Sequence, residues 1–271
     1  MIRLKQWFRR PVMLALVASS TAAVGACGIS RQQEVQMGQQ YAAEINQQLP
    51  MVNDASINRY INNLGRSIAQ QGNRQYNYNF YVVNAEQINA FAVPGGHVYV
   101  NRGLIERTRN MAELAGVIAH EIAHVEHRHG VEQMEQMQAA NIGLSLGYVL
   151  LGRAPSGVEE AVIGVGGTAY FASHSRGAEN EADATAVSLL ANSNIDPNGL
   201  TSFFNVLLSD QERRPSAVEQ WFSTHPLTRD RIDNTQSYIN RLSPAQRSGR
   251  TTDAGYDAMK SRLRSYRPAA S

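Results

Sequence analysis

The sequence is poor in cysteine and has little net charge. Its 271 residues include a single cysteine, Cys27, so no disulfide can form within the chain. Net charge is also small, because 25 Lys and Arg nearly balance 23 Asp and Glu. After residue 26 there is no basic run, which argues against a nucleic-acid partner. The hydrophobic content of 43% is nevertheless sufficient for a folded core.

Residues 1–26 have the pattern of a bacterial lipoprotein signal. A basic start, MIRLKQWFRRP, precedes an apolar stretch, VMLALVASSTAAVGA, that ends in small residues. Cys27 follows directly, and VGAC resembles the lipobox, whose cysteine is lipidated and becomes the new N-terminus. Gly28 in place of an aspartate resembles a signal for the outer membrane. We therefore expect a lipid anchor at Cys27 on the periplasmic face of the outer membrane. An ordinary cleaved signal or an uncleaved anchor is the alternative.

The remaining chain predicts a few strands followed mostly by helices, which is the order of an α+β fold. A helix begins at Asp54, since apolar residues recur every three to four positions after it. YNYNFYVVN (76–84) predicts a strand, and NAFAVPGGHVYVNRGLI (89–105) predicts two short extended segments around Pro94. We expect one domain over residues 27–242 and a loosely ordered polar tail over residues 243–271.

Later segments predict further helices. AANIGLSLGYVLLG (139–152) is apolar and rich in glycine but too short to cross a bilayer, so it predicts a buried helix, with a flap that touches lipid as the alternative. Asn110 with Glu113 predicts a capped helix start before the histidine-rich segment. Residues 178–192 predict a strong helix, and Thr228 is expected to cap a last one.

Four of the seven histidines lie in GVIAHEIAHVEHRHG, residues 116–130. His120 and His124 are four residues apart and project from one helix face, as two ligands of a tetrahedral zinc must. Glu121 completes an H-E-x-x-H pattern, in which the glutamate is the general base for a zinc-activated water. The alternative is a solvated helix, but the apolar neighbours of Glu121 predict burial, where unpartnered histidines are costly. His127 and His129 lie beyond this apolar stretch, and we expect them to be solvated.

A catalytic zinc needs a third protein ligand, and a later helix offers one. A histidine six residues after His124 would complete one frequent spacing, but Gly130 occupies that position. AENEADATAVSLLANS contains Glu179 and, four residues on, Asp183 on the same helix face. We expect Glu179 to bind zinc and Asp183 to accept the ring N–H of a liganding histidine. Glu181, which points to another side of that helix, is the alternative ligand.

H-E-x-x-H followed by ENEAD (179–183) resembles the gluzincin metallopeptidase family of HtpX, BepA and LoiP, and residues 89–105 resemble that family's segment before the zinc helix. The lipobox makes the LoiP-like outer-membrane lipoproteins the most similar members. The resemblance implies a zincin-type domain that is mostly helical and holds one zinc ion. It also implies a small sheet whose edge strand lines the active site, where an extended peptide could add by backbone hydrogen bonds. The residues implied for that edge, unless they form only a structural turn, are Phe91, Ala92, Val93 and Pro94.

His225, in STHPLTRDR, is a candidate active-site residue because the family has a His-Pro loop near the zinc. The resemblance implies either a fourth metal position that holds the enzyme inactive or stabilisation of the oxyanion. An ordinary loop residue is the alternative. His174 or Arg176 could also face the cleft, and Arg229 and Arg231 could pair with nearby acids.

Together these features predict a zinc endopeptidase of the bacterial envelope that degrades unfolded or misassembled periplasmic and outer-membrane proteins, with Glu121 as general base. Its expected partners are extended polypeptides and, through the anchor, the membrane. The alternative is an assembly factor that binds client proteins while its protease is mostly shut. An intact Glu121 favours the protease, because binding alone needs no base, whereas an inhibitory His225 would favour the assembly factor. A zinc hydrolase of another substrate is a third possibility.

Overall fold

The computed structural model describes residues 28–73, 75–136 and 173–266. The signal segment, Cys27 and the apolar stretch 139–152 lie outside these residues, so the expectations for them stay predictions. Within the described residues, no helix has both the length and the apolar character needed to cross a bilayer.

Strands lie early in the chain and most helices follow, which confirms the predicted α+β class. In addition to the ten helices labelled below, residues 129–136 are helical. The labelled helices are α1 (Arg31–Gln48), α2 (Ala55–Ala69), α3 (Arg102–Arg107), α4 (Met111–Glu126), α5 (Arg176–Asn192), α6 (Asn198–Arg213), α7 (Pro215–Thr224), α8 (Arg229–Asn240), α9 (Pro244–Arg247) and α10 (Ala254–Ser265).

A small mixed sheet is formed by β1 (Asn79–Val83), β2 (Ala90–Val93) and β3 (His97–Asn101), in the order β1-β3-β2. β1 runs parallel to β3, and β2 runs antiparallel to it. Gly95 and Gly96 turn the chain between β2 and β3 with φ angles of 80° and 93°, which glycine adopts without strain. The two extended segments predicted around Pro94 are thus confirmed, and β2 is an edge strand of the described sheet.

Helix α4 is the centre of the fold, because every residue from Met111 to Val125 is buried. It packs against α2, α5, α6 and β2. The side chain of Asn110 caps it by accepting a hydrogen bond from the Glu113 N–H at 3.0 Å, as predicted. The predicted capping box differs in one respect, since the Glu113 carboxylate accepts its hydrogen bond from the N–H of Arg109 and not of Asn110.

Two glycines allow α4 and α6 to approach each other closely. A Cβ atom on Gly116 would lie 2.9 Å from Leu200 Cα, and one on Gly199 would lie 2.3 Å from the carbonyl oxygen of Ala112. The neighbouring atoms belong to helix backbones, so they cannot move aside as the end of a flexible side chain could. Larger residues at these positions would push apart the two helices, and α4 is the one that carries the H-E-x-x-H residues.

Helix α1 packs over the turn between β2 and β3. Gly38 lies so close to this turn that a Cβ atom there would be 1.9 Å from the carbonyl oxygen of Pro94. The carboxylate of Glu34 is buried, and it accepts hydrogen bonds from Tyr76 Oη at 2.8 Å and Arg128 Nε at 2.7 Å. These contacts join α1 to the turn after β2, to the segment before β1 and to the segment that follows α4.

The C-terminal segment differs from its expectation. Helix α10 buries Tyr256, Met259 and Leu263 in the main core, and Tyr256 Oη lies 2.9 Å from the hydroxyl of Thr108. The expected loosely ordered tail is therefore wrong for residues 254–265, which form α10. The three buried residues recur at three- and four-residue steps, which is a helical stripe within an otherwise polar composition.

Candidate active site

The H-E-x-x-H residues lie on two turns of α4 inside the protein. His120, Glu121 and His124 are only 0%, 1% and 4% exposed. The Nε2 atoms of the two histidines are 3.0 Å apart, because residues four apart share a helix face. Burial raises the pKa of the Glu121 carboxyl, and the His225 and His120 rings oppose that shift. Glu121 Oε1 is buried, and its contact with His225 Nε2 is long, at 3.5 Å.

Helix α5 brings Glu179 and Asp183 to the same place. Glu179 Oε1 lies 3.3 Å from His124 Nε2, and Glu179 Oε2 lies 3.6 Å from His120 Nε2. Asp183 Oδ1 lies behind the first ring, 2.9 Å from His120 Nδ1. The four-residue spacing places both carboxylates on the face of α5 that packs against α4.

His120, His124, Glu179 and His225 each offer one ligand atom, and the four atoms lie within 4.8 Å of one another. Close contacts form a ring from His120 Nε2 to His124 Nε2, Glu179 Oε1, His225 Nδ1 and back to His120 Nε2. The four distances around this ring are 3.0 Å, 3.3 Å, 3.0 Å and 3.4 Å. Tetrahedral zinc with bonds of about 2.0–2.1 Å holds its ligand atoms about 3.3 Å apart. The chemistry of these atoms therefore fits zinc, and so do the four separations around this ring.

The hydrogen bond behind His120 leaves its Nε2 free for a cation. An ionised carboxylate only accepts hydrogen bonds, so His120 Nδ1 carries its hydrogen toward Asp183 and the lone pair lies on His120 Nε2, where Arg231 Nη2 approaches it at 3.3 Å. Burial disfavours a charged His120 ring, but hydrogen bonds to Asp183 and Glu179 outweigh burial and raise its pKa to about 9. A proton and a metal ion thus compete for the same atom, as they do at histidine sites in metalloproteins. Burial keeps the pKa of His124 well below its ordinary value, so that ring is neutral.

Arg231, in the first turn of α8, balances the two carboxylates. Its Nε lies 2.6 Å from Asp183 Oδ2 and its Nη2 lies 2.9 Å from Asp183 Oδ1, while Nη1 contacts Glu179 Oε2. Burial would raise the pKa of Glu179, but His225 and Arg231 hold it well below its ordinary value. Asp183 likewise has a lowered pKa despite burial, because of the charge and hydrogen bonds of Arg231. Both carboxylates are therefore ionised at neutral pH.

His225 follows directly after α7, and its ring is buried. Its Nδ1 lies 3.0 Å from Glu179 Oε1 and 3.4 Å from His120 Nε2. Its Nε2 lies 3.5 Å from Glu121 Oε1. The ring therefore lies between the ligand atoms and Glu121, in the fourth corner of the cluster.

A cleft opens between β2 and α4 above this cluster. The lining residues from the sheet side are Ala92, Val93 and Pro94, and those from the helical side include Glu121, His124, Arg128 and His174. Three of the four residues expected at the substrate-binding edge thus line the cleft. The Phe91 ring instead stacks on Tyr99, with ring centroids 4.9 Å apart.

The hydrogen-bond pattern of the sheet shows which backbone groups of β2 face its open edge. Residue pairs in antiparallel strands alternate between hydrogen-bonded and non-hydrogen-bonded. The N–H of Asn101 donates to the carbonyl of Asn89 at 2.9 Å. By alternation, Phe91 and Val93 pair with β3, and the N–H and C=O of Ala92 point to the open edge.

A model of peptidase family M48 matches residues 52–239 of this sequence. The chain belongs to peptidase family M48. The family predicted from the motifs and its zincin-type fold are thereby confirmed, whereas the LoiP-like subtype stays a prediction. Members of family M48 are metallopeptidases, which agrees with the buried cluster of metal-ligand residues.

Three relatives illustrate the breadth of family M48. A beta-barrel assembly-enhancing protease of Yersinia pestis is 35% identical over 226 residues, which are 80% of this chain and 46% of that protein. The metalloprotease YcaL of Escherichia coli K12 is 28% identical over 161 residues, 59% of this chain and 62% of YcaL. The mitochondrial metalloendopeptidase OMA1 of Schizosaccharomyces pombe is 27% identical over 194 residues, 72% of this chain and 55% of OMA1. The matched region is about half the length of these relatives.

The M48 fold gives His129 a different environment from the one expected. His129 is buried, and its Nδ1 lies 2.9 Å from His124 Nδ1, so the expectation that it is solvated is wrong. His127 is partly exposed and contacts the Thr185 hydroxyl at 2.7 Å. Glu181, the alternative third ligand, is 56% exposed and contacts these two histidines outside the four-atom cluster.

Of the two residues expected before α5, His174 faces the cleft and Arg176 is exposed. The His174 ring stacks on His124, with centroids 4.0 Å apart. Burial, with a smaller contribution from His225, lowers the pKa of His174 to about 3, so the ring is neutral at pH 7. No sequence spacing relates His174 to His124, because they are fifty residues apart and meet only through the packing of α4 and α5.

Proposed function

We propose that this M48 family member is a zinc-dependent endopeptidase of the bacterial cell envelope. The observation that carries the proposal is the convergence of His120, His124 and Glu179 beside Glu121, a buried carboxylate at the base of the cleft. Two imidazoles and one carboxylate are a frequent ligand set of catalytic zinc. We therefore assign His120, His124 and Glu179 as zinc ligands and Asp183 as the residue that orients His120.

The chemistry assigned to the chain centres on Glu121. Zinc in such a site supplies a Lewis acid for the scissile carbonyl and lowers the pKa of water. The Glu121 carboxylate accepts a proton from the attacking water and then transfers it to the leaving amine. The raised pKa of Glu121 suits this exchange, because a stronger base takes the proton more readily.

The open edge of β2 supports an extended polypeptide as substrate. The N–H and C=O of Ala92 can pair with a peptide backbone, and Ala92, Val93 and Pro94 line the cleft beside Glu121. A folded protein does not present a free strand of this kind. Backbone pairing also selects few side chains, so we expect the enzyme to cleave unfolded or misassembled proteins with broad specificity.

The envelope location rests on residues 1–27 and on the relatives. A lipid anchor at Cys27 would place the enzyme on the periplasmic face of the outer membrane, and one relative is named for enhancing beta-barrel assembly. A Cys27→Ser variant should leave the outer-membrane fraction when cells are fractionated. Unchanged association with the outer membrane would contradict the anchor.

The peptidase is tested by comparing wild type with Glu121→Gln on unfolded casein, with zinc content measured in parallel. Wild type should bind about one zinc and cleave, and the variant should bind zinc but lose about 10²–10⁴-fold in rate, the usual contribution of a general base. Glu132→Gln is the matched control, because Glu132 is exposed and its replacement is chemically identical. Equal cleavage by wild type and Glu121→Gln would refute the assigned base.

A second candidate function is a client-binding assembly factor whose protease is shut at rest. The position of His225, with Nδ1 among the ligand atoms and Nε2 3.5 Å from Glu121 Oε1, favours an inhibitory ring over an oxyanion stabiliser in this conformation. If His225 is inhibitory, His225→Ala should raise casein cleavage. If it stabilises the oxyanion, the same substitution should lower cleavage. Zinc binding without cleavage by either protein would favour the assembly factor.

A further inference from the structure

The chain reverses direction directly behind the zinc-ligand candidate His124. Arg128 has a φ of 60°, a left-handed conformation that is uncommon for a residue with a side chain. Its guanidinium is fixed by Glu34 at 2.7 Å and by a contact with the carbonyl of Ile29. This turn brings His129 back beneath α4, where its ring is 3% exposed and its Nδ1 faces His124 Nδ1 at 2.9 Å.

The next contact determines the direction of the hydrogen bonds. His129 Nε2 lies 3.2 Å from Glu181 Oε2, and a carboxylate only accepts, so His129 Nε2 carries the hydrogen. A neutral imidazole then has its lone pair on Nδ1, which must accept from His124 Nδ1–H. His124 is thereby left with its own lone pair on Nε2, the atom directed at His120 and Glu179.

We propose that His129 and Glu181 are positioning residues that hold His124 in its metal-binding tautomer and orientation. The inference rests on the proposed zinc site. In both ligand histidines a carboxylate would then fix the nitrogen that faces away from the metal. Asp183 contacts His120 Nδ1 directly, and Glu181 acts on His124 through the intervening His129 ring. Such partners of ligand histidines commonly change metal affinity by about 10–100-fold when they are removed.

His127 provides a control within the same turn. Its Nδ1 contacts the other oxygen of Glu181 at 3.1 Å, and its Nε2 contacts the Thr185 hydroxyl at 2.7 Å. Both ring nitrogens are thus engaged away from His124. Removing His127 takes an imidazole from the carboxylate but leaves the hydrogen bond behind the ligand unchanged.

The test is the zinc dissociation constant of the purified full-length protein, measured by competition with a chelating dye. His129→Leu removes the acceptor and should weaken zinc binding about 10–100-fold. His129→Asn should recover part of this loss, because the amide oxygen lies near the position of the lost Nδ1 and can accept from His124. His127→Leu should stay within about twofold of wild type, since its ring does not contact the ligand.

The thermal midpoint of each protein in EDTA separates a loss of metal affinity from a loss of folding. Glu181→Leu adds a variant at a largely exposed side chain, so it keeps the inference testable if His129→Leu does not fold. It should also weaken zinc binding, by up to about 10–100-fold. Wild-type zinc affinity of His129→Leu would overturn this inference and leave the proposed function standing. If His129→Leu does not fold, wild-type zinc affinity of Glu181→Leu would do the same. Absence of zinc binding by the wild type would overturn the proposed function and this inference with it.

Discussion

Replacing Asp183 with asparagine perturbs the polar network behind the metal-ligand cluster with almost no change in shape. Asp183 Oδ1 faces His120 Nδ1 and Arg231 Nη2, each at 2.9 Å. Asp183 Oδ2 faces Arg231 Nε at 2.6 Å and the Thr235 hydroxyl at 3.2 Å. An amide NH₂ in the Oδ1 position meets two N–H donors, and in the Oδ2 position it meets Arg231 Nε–H, while the Thr235 hydroxyl can donate to the Arg231 carbonyl at 2.8 Å. Either orientation of the amide therefore loses at least one hydrogen bond to Arg231 together with the carboxylate charge.

The size of the effect follows from these losses. Hydrogen bonds to charged groups contribute about 1.5–3 kcal/mol each, and breaking a buried ion pair costs about 3–5 kcal/mol. We therefore expect Asp183→Asn to lower the free energy of unfolding of the metal-free protein by about 3–5 kcal/mol, measured by urea denaturation. Asp233 is an exposed residue of α8, so Asp233→Asn should change the free energy of unfolding by less than about 0.5 kcal/mol. A loss below about 1 kcal/mol for Asp183→Asn would refute the role given to this network.

The pH dependence separates the His120 contribution from that of Arg231. The pKa of His120 is raised to about 9 in the folded protein, mainly by Asp183 and Glu179 acting against burial. A raised histidine pKa stabilises the fold fully below the unfolded value of about 6.5 and ceases to do so as pH rises through 9. The destabilisation by Asp183→Asn should therefore shrink between pH 6.5 and pH 9. If the loss of stability caused by Asp183→Asn does not change with pH, the contact with His120 makes no contribution and the loss comes from Arg231.

Two further predictions concern residues outside the cluster. Leu263→Ala should destabilise the protein by about 2–5 kcal/mol in urea unfolding, because the Leu263 side chain on α10 is fully buried in the core. For Asp210, burial would raise the pKa, but hydrogen bonds from Arg107 and Arg214 hold it below its ordinary value. The stability from this depressed pKa is present above about pH 3.8 and is lost as pH falls through the folded pKa, so Asp210→Asn should lower the thermal midpoint at pH 7 more than near pH 2.

Exposed residues nearby provide the controls for both. Arg264→Ala lies next to Leu263 on α10 but is exposed, so it should leave stability nearly unchanged. Equal effects at positions 263 and 264 would contradict the docking of α10. A thermal midpoint of Asp210→Asn that parallels wild type at every pH would contradict the ion pairs assigned to Asp210.

The sequence predicted those parts of the site that depend on spacing within one helix. His120, Glu121 and His124 share two turns of α4, and the four-residue step from Glu179 to Asp183 puts both carboxylates on one face of α5. Such relations follow from helix geometry alone. The same reasoning located the strands around Pro94, because glycine and proline mark turns locally.

The sequence could not predict contacts that depend on a reversal of the chain or on packing between distant elements. His129 was expected in solvent because it follows a polar stretch, yet the left-handed Arg128 directs it inward, and Arg128 is fixed by Glu34 more than ninety residues earlier. Helix α10 was missed because only three apolar residues mark its buried stripe. Both errors arise where tertiary contacts override local composition.

The close packing of α4 on α6 has a consequence for how an M48 site of this kind can be regulated and can diverge. Gly116 and Gly199 allow the backbones of α4 and α6 to pack directly on each other. The histidines on α4 therefore lie on a closely packed pair of helices. His225 comes from the short connection between α7 and α8, which takes no part in the contacts of Gly116 and Gly199. We therefore expect release of His225 from the cluster to leave the packing of α4 on α6 unchanged. Changes in the length or sequence of this connection could then retune the resting activity without altering the geometry of the metal ligands.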